Sequence, residues 1–220
     1  MTSLLSVLRA VAEEVQGRAD ELNRLDAAAG DGDLGVTATH AAVVILGLLP
    51  SLEGREIPDV LKACGVAISR GAPSTSGTLL ATGLLGAGRA AAETSRWGAE
   101  MFAQLLDEAR AAIAARGKAE PGSKTMLDAL APAAVAAADV AGCGGSLSQA
   151  LSAAAQAADK GAKATAAMRP RFGRAAWLAD RSAGHEDAGA RLVAIILESA
   201  ARSDPPLEDS SDCSSPPAVS

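Results

Sequence analysis

The sequence is almost empty of aromatic side chains: it has no Tyr, and Phe and Trp occur only twice each in 220 residues. β-Branched and aromatic residues are the usual strand material, so their scarcity argues against a β core. Histidine is short too, with only His40 and His185, and the three cysteines, Cys64, Cys143 and Cys213, lie far apart. No His or Cys cluster has zinc-ligand spacing, and no Ser-His-Asp or Cys-His arrangement offers an acyl-transfer nucleophile. Any disulfide scheme leaves one cysteine over. A reducing compartment is therefore expected, with Cys64 and Cys143 as buried, unreactive thiols. Positive charge is in deficit: 20 Lys and Arg stand against 26 Asp and Glu, a net charge of −6 and a pI near 5.0. That balance argues against nucleic acid as a partner, because phosphate backbones select basic surfaces. An acidic chain can still bind a polyphosphate if a divalent cation neutralises it. No apolar run approaches the roughly 18 residues of a membrane span; the densest, AAVVILGLLP, stops at Pro50. The start, MTSLLSVLRAVAEEV, lacks a basic region and carries acids by Glu13, unlike a signal peptide. A cytoplasmic protein with no membrane partner is the expectation.

What is abundant is alanine, the best helix former, in a chain that is 49% hydrophobic and 21% charged. An all-α single domain with close helix contacts follows. Apolar residues recur at helical spacing along most of the chain. Leu4, Leu8, Val11 and Val15 line a first helix running toward Ala29, and Val36, Thr39, Val43 and Leu46 mark a second before Pro50. Pro58 suits the first turn of a third helix that continues through Leu61, Cys64 and Ile68. Leu79, Leu80 and Leu84 belong to a fourth, Phe102, Leu106 and Ile113 to a fifth, and Leu127, Leu130, Ala134 and Val135 to a sixth. Ser146 or Ser148 can cap a seventh with Leu147, Leu151, Ala155 and Ala158, and Leu192, Val193, Ile196 and Leu197 carry an eighth. The domain is expected over residues 1–202. Residues 203–220, rich in Pro, Ser and Asp, are expected to be a disordered tail.

The unusual residues fall between the helices. Asp26 sits in the last turns of the first helix, and Asp31 and Asp33 follow in a G-D-G-D-L-G loop. Three carboxylates at the negative end of a helix dipole repel one another, and a bound hard cation such as Mg²⁺ relieves both penalties. A plainer alternative makes Asp33 the cap of the second helix and Asp31 a turn former. An EF-hand would need Glu near position 42, where the chain has Ala42. The run from Gly71 to Gly77, GAPSTSG, opens the fourth helix and reads equally as an anion site, with Thr75 and Ser76 as donors, or as a capped helix start. A P-loop sequence is absent. Two further loops are rich in Gly and basic residues: Arg116–Thr125, and Gly173–Gly189 with Arg174, Arg181 and His185.

Taken together, LDAAAGDGDLG from Leu25, Ser76-Gly77, RGKAEPGSKTM from Arg116 and the GRA…RSAGHEDAG stretch from Gly173 resemble the L subunit, or equivalent C-terminal domain, of dihydroxyacetone kinases. The segments run in that family's order, and the flanking helices extend the likeness over nearly all of residues 1–202. The resemblance implies an up-and-down barrel of eight antiparallel helices with a nucleotide at one end. It implies Asp26, Asp31 and Asp33 as ligands of two Mg²⁺ ions that bridge the phosphates of ATP or of tightly held ADP. The matching nucleotide contacts are Gly35, Thr37, Ser76, Gly77, Gly117, Met126, Arg174, Asp187 and Gly189, and Arg174 is assigned to the charge on the transferred phosphoryl group. The family often has His where Leu34 stands and Pro where Ala188 stands. Neither departure removes a metal ligand.

The implied reaction moves a phosphoryl group to a hydroxyl of dihydroxyacetone or a related short ketose. The family's ketose-binding domain is missing from this chain, so a separate K-type subunit is the expected partner. Some members receive phosphate from a phosphotransferase-system protein in place of ATP. Two other roles fit the resemblance: an ADP-bound partner of a transcriptional regulator, and the nucleotide domain of a fatty-acid-kinase-like system.

Overall fold

The computed structural model describes residues 4–92, 97–171 and 182–203. Among these, every regular element is helical. The α-helices are α1 (Leu4–Gly17), α2 (Ala19–Ala29), α3 (Leu34–Leu48), α4 (Ile57–Gly71), α5 (Thr75–Ala91), α6 (Ala99–Gly117), α7 (Leu127–Gly142), α8 (Leu147–Ala164) and α9 (Ala188–Ser203). Short 3₁₀ turns follow α3 (Leu49–Leu52) and α8 (Thr165–Ala167). The expected all-α single domain is what forms. Ser203 still belongs to α9, and the rest of the expected tail lies outside the described residues.

The first expected helix is two helices. Gly17 weakens the ladder, and Arg18 leaves helical geometry at φ −104°, ψ 11°. The Arg18 guanidinium then reaches Glu14 on one side of the break and Glu21 on the other. Together α1 and α2 act as one stave, because both pack on α3 and on α9. The other helices pack in chain order, α3 on α4 through to α8 on α9, and α9 returns to α1. With α1–α2 as one stave, the ring has eight staves among the described residues, as in the expected barrel. Short connections make successive staves antiparallel up to α8, and the start of α9 meets the end of α8 where Asp187 N–H donates to Thr165. As a result the α2–α3, α4–α5, α6–α7 and α8–α9 turns share one rim.

Small residues make the packing close. On α5 the buried positions are Gly77, Ala81, Gly83, Gly86, Ala87, Gly88 and Ala91. A Cβ at Gly86 would lie 2.9 Å from the Ala112 Cβ of α6. Leu22, Leu127, Leu192 and Ile195 are the largest apolar side chains that are wholly enclosed, each contributing about 1.5–3 kcal/mol of transfer free energy. Two caps expected from sequence form: Pro58 lies in the first turn of α4, and Ser146 makes a capping box with Gln149 at α8.

The face of α3 differs from expectation. Leu34, Gly35, Thr37, Ala38, Ala41 and Ala42 are buried, while Val36 and Val43 stand about half exposed. This helix is apolar around most of its circumference, so periodicity does not select the inner face; the small residues do, by allowing close approach. Val135 of α7 likewise faces out. Leu34–Leu52 is long and apolar enough to cross a membrane by composition, and here it packs in the ring against α1, α2 and α4. Cys64 is buried as expected, and burial pushes its thiol up to about 11. Cys143, expected to be buried, is exposed at the end of α7, where GCGG turns the chain into solvent.

Candidate functional site

The shared rim holds the chemistry. Asp26 lies in the last turn of α2, Asp31 in the turn, and Asp33 immediately before α3. Gly32 turns the chain between them at φ 78°, a conformation that side chains resist. One carboxylate oxygen from each of the three aspartates lies within 4.8 Å of the other two; Asp26 is half-buried, and Asp31 and Asp33 are exposed. Asp33 occupies the cap position of α3, yet its side chain makes no capping bond. The plain alternative of a capping aspartate therefore fails at Asp33. Three hard oxygen donors at this separation, two of them open to water, suit a cation such as Mg²⁺, which takes few protein carboxylates and keeps room for water and phosphate.

The energetics differ from the sequence argument in one respect. Asp26 Oδ2 accepts the main-chain N–H groups of Asp33 (2.9 Å) and Leu34 (3.2 Å). The carboxylate near the negative end of α2 is thereby held at the positive end of α3, and its dipole penalty is offset without a metal. Asp31 and Asp33 keep their carboxylates exposed on the rim.

Asn23, one turn before Asp26, was not singled out from sequence. Its Oδ1 accepts Gly35 N–H at 2.7 Å and Val36 N–H at 3.3 Å. Gly35 thus has its amide engaged within the protein, and a Cβ there would lie 2.0 Å from the Ala19 carbonyl oxygen. Its glycine is required by the approach of α3 to α2. Thr37 is buried in the first turn of α3.

At the next turn of the rim, the Ser74 hydroxyl accepts Gly77 N–H at 2.9 Å and caps α5. Ser76 and Gly77 form the first turn of that helix, and Gly71 belongs to α4. Gly117, the last residue of α6, faces α5, with a Cβ there 3.6 Å from Leu79 Cδ2.

The α6–α7 turn is built around two buried charges. Asp128 accepts the N–H groups of Gly122 and of Thr125 (2.7 Å), closing the turn over the start of α7. Lys124 takes a left-handed backbone (φ 59°) and sends its ammonium inward, donating to the carbonyls of Ser182 (2.6 Å) and Met168 (3.4 Å). Burial lowers its pKa, and the charge of Asp187 opposes that shift. A Cβ at Gly161 would lie 2.2 Å from the Asp128 carbonyl oxygen, so α8 also approaches this turn closely.

Asp187 caps α9 by accepting Ala190 N–H at 2.8 Å, and its own N–H donates to the enclosed Thr165 hydroxyl at 2.7 Å. Burial pushes the Asp187 carboxyl up to about 6; the Ala190 amide and Lys124 act against this, while Asp128 and Asp26 add to it. Asp187 therefore feels both of the other acids across the rim. Gly189 meets Met126, with a Cβ there 3.4 Å from the Met126 Cβ. Arg191, one turn into α9, pairs with Glu186 (2.5 Å) and with Asp159 of α8 (3.0 Å), anchoring the approach to α9. Beside this pair a cleft is lined by Glu21, Arg24, Leu25, His185, Glu186 and Arg191. Arg174, with Gly173 and Arg181, lies outside the described residues.

A closed helical ring with a carboxylate cluster and glycine-bearing helix starts on one rim defines the class of protein, an all-α domain with an acidic rim. The chain belongs to the DAK2 domain family, whose model matches residues 28–202. It is 38% identical over 195 residues to the D-erythrulose kinase of Mycolicibacterium smegmatis, which covers 87% of this chain and 33% of that protein. It is 29% identical over 197 residues to the PEP-dependent dihydroxyacetone kinase, ADP-binding subunit DhaL, of Escherichia coli, covering 90% of this chain and 94% of that one. The dihydroxyacetone kinase of C. freundii superposes in its native form with a TM-score of 0.73 at 25% identity, over 93% of this chain and 35% of that chain. That enzyme has also been solved in complex with AMP-PNP and Mg²⁺, with a TM-score of 0.74 at 24% identity over the same shares of the two chains. The chain thus spans about a third of the erythrulose kinase and nearly all of the DhaL subunit. The names of these relatives make this a family of kinases.

Proposed function

We propose that this chain is the nucleotide-binding, phosphoryl-transferring L subunit of a dihydroxyacetone-type kinase, working with a separate K-type subunit that holds the ketose. The observation that carries the proposal is the carboxylate triad on the rim, with one oxygen from each of Asp26, Asp31 and Asp33 gathered within 4.8 Å. Family membership supports it, as does the near-complete coverage of a relative named as an ADP-binding subunit. Asp26, Asp31 and Asp33 hold Mg²⁺, two ions in the full reading, which neutralises the phosphates of ATP or of retained ADP.

Ser76, Gly77, Gly117, Met126, Asp187 and Gly189 then line the nucleotide, with Thr37 near the phosphates. Gly35 contributes its lack of a side chain. Arg174 opposes the charge on the moving phosphoryl group. The donor is ATP, or a phosphotransferase-system protein that recharges bound ADP, and the setting is cytoplasmic.

The test combines binding and turnover. Asp31→Asn and Asp33→Asn are expected to abolish Mg²⁺-dependent ADP binding in calorimetry while leaving the helical circular dichroism unchanged. The wild-type chain alone is expected to bind nucleotide and phosphorylate no ketose, with activity appearing when a K-type subunit is added. Unchanged affinity in both variants would refute the metal assignment, and turnover by the isolated chain would refute the division of labour.

A further inference from the structure

A helix start normally leaves its first N–H groups free, and such a start can bind an anion. At α3 none of these donors is free. Asp33 and Leu34 N–H go to Asp26 Oδ2, Gly35 and Val36 N–H go to Asn23 Oδ1, and Thr37 N–H returns to the Asp33 carbonyl at 3.0 Å. Two side chains, three residues apart on α2, therefore account for four successive amides of α3. Residues at that spacing share one face of a helix, so α2 presents both acceptors together.

We infer that Asn23 is a positioning residue for the metal cluster: by taking Gly35 and Val36 N–H it sets where α3 begins and so holds Asp33, and the Asp31 turn, opposite Asp26. This deepens the proposed function and rests on its reading of the three aspartates. The geometry gives the division of work. Asp26 has both to face the cation and to hold the first two amides. Without Asn23, the next two amides would have no acceptor, at a helix start where Gly35 is buried. The available acceptor is Asp26 itself, and a carboxylate drawn further onto the helix is drawn off the cation. Asn is suited to the task because its carbonyl oxygen accepts two N–H groups at this reach.

The full chain is titrated with ADP in Mg²⁺ and, separately, in EDTA, alongside Asn23→Ala, Asn23→Gln and Asn23→Asp. Supporting groups around metal ligands typically change metal affinity about 10–100-fold. Asn23→Ala is expected to lose at least about tenfold in the Mg²⁺-dependent part of ADP affinity, with the EDTA affinity unchanged. Asn23→Asp keeps an acceptor oxygen in place and is expected to restore the Mg²⁺-dependent part. Asn23→Gln keeps the amide but moves its oxygen by one methylene; it is expected to weaken Mg²⁺-dependent binding, and it decides the matter should the alanine variant not fold.

Equal losses with and without Mg²⁺ would mean a purely structural role and overturn the inference. So would wild-type binding by both the Ala and Gln variants, or a failure of Asn23→Asp to restore binding. If the wild-type chain itself showed no Mg²⁺-dependent binding, the proposed function would fail instead, and the two failures are distinct.

Discussion

Acidic residues occupy both halves of the rim, and the protein uses them in opposite ways. In the α2–α3 turn, Asp31 and Asp33 are exposed and Asp26 is half-buried, so negative charge is presented outward. At the α6–α7 and α8–α9 turns, Asp128 and Asp187 are turned inward and hold main-chain amides, and Asp187 feels the charge of the buried Lys124 ammonium. The same side chain thus stands exposed to solvent on one side and serves as an internal brace on the other. Substitutions on the first side are therefore expected to cost binding at constant stability, and those on the second to change stability itself.

The largest stability effect is expected at Asp128. Asp128→Ala leaves the Gly122 and Thr125 amides without their acceptor and should cost about 3 kcal/mol in urea unfolding. A loss confined to nucleotide binding would erase the contrast between the two halves. Next comes Lys124→Met, which keeps the side chain's bulk but strips the Ser182 and Met168 carbonyls of their donor. A loss of about 1–2 kcal/mol is expected from the same measurement, softened because a buried cation is removed as well.

Asp187 sharpens the comparison through pH. Its folded carboxyl titrates at about 6, above its ordinary 3.8. The folded protein therefore binds the extra proton, and the group's favourable contribution is complete below pH 3.8 and is lost as pH rises through 6. Asp187→Asn is expected to remove that slope between pH 4 and 6 in thermal melts, and to leave stability above pH 6 equal to or higher than wild type. An unchanged slope would place the titration elsewhere. The smallest effect is expected away from the rim. Arg202→Ala breaks a solvent-exposed pair with Glu14 and should change stability by less than about 0.5 kcal/mol.

Much of this arrangement was legible in the sequence, for identifiable reasons. Pro58 and Ser146 carry local geometry, so the starts of α4 and α8 could be placed from residue type alone. The short run from Asp26 to Asp33 holds three carboxylates in a span too short to separate them. The outer face of α3 was not legible, because a helix rich in Val, Leu and Ala offers no polar stripe to choose by. The break at Arg18 was hidden because Gly17 sits inside an otherwise continuous apolar period. Asn23 went unnoticed because its partners, Gly35 and Val36, are main-chain groups that leave no pattern of side chains. Lys124 and Arg191 carry no mark in the sequence of the distant partners that the fold supplies.

The alternation of the staves has a practical side as well. The chain enters α1 at Leu4, which packs near Leu52 and Val60 at the end of the ring away from the carboxylates, and α9 runs from Asp187 on the rim back toward that far end. Both attachment points therefore lie behind the site. A partner domain carried directly on the start of α1 or the end of α9 should leave the acidic rim unobstructed, which suits this ring of helices to being carried as a cartridge.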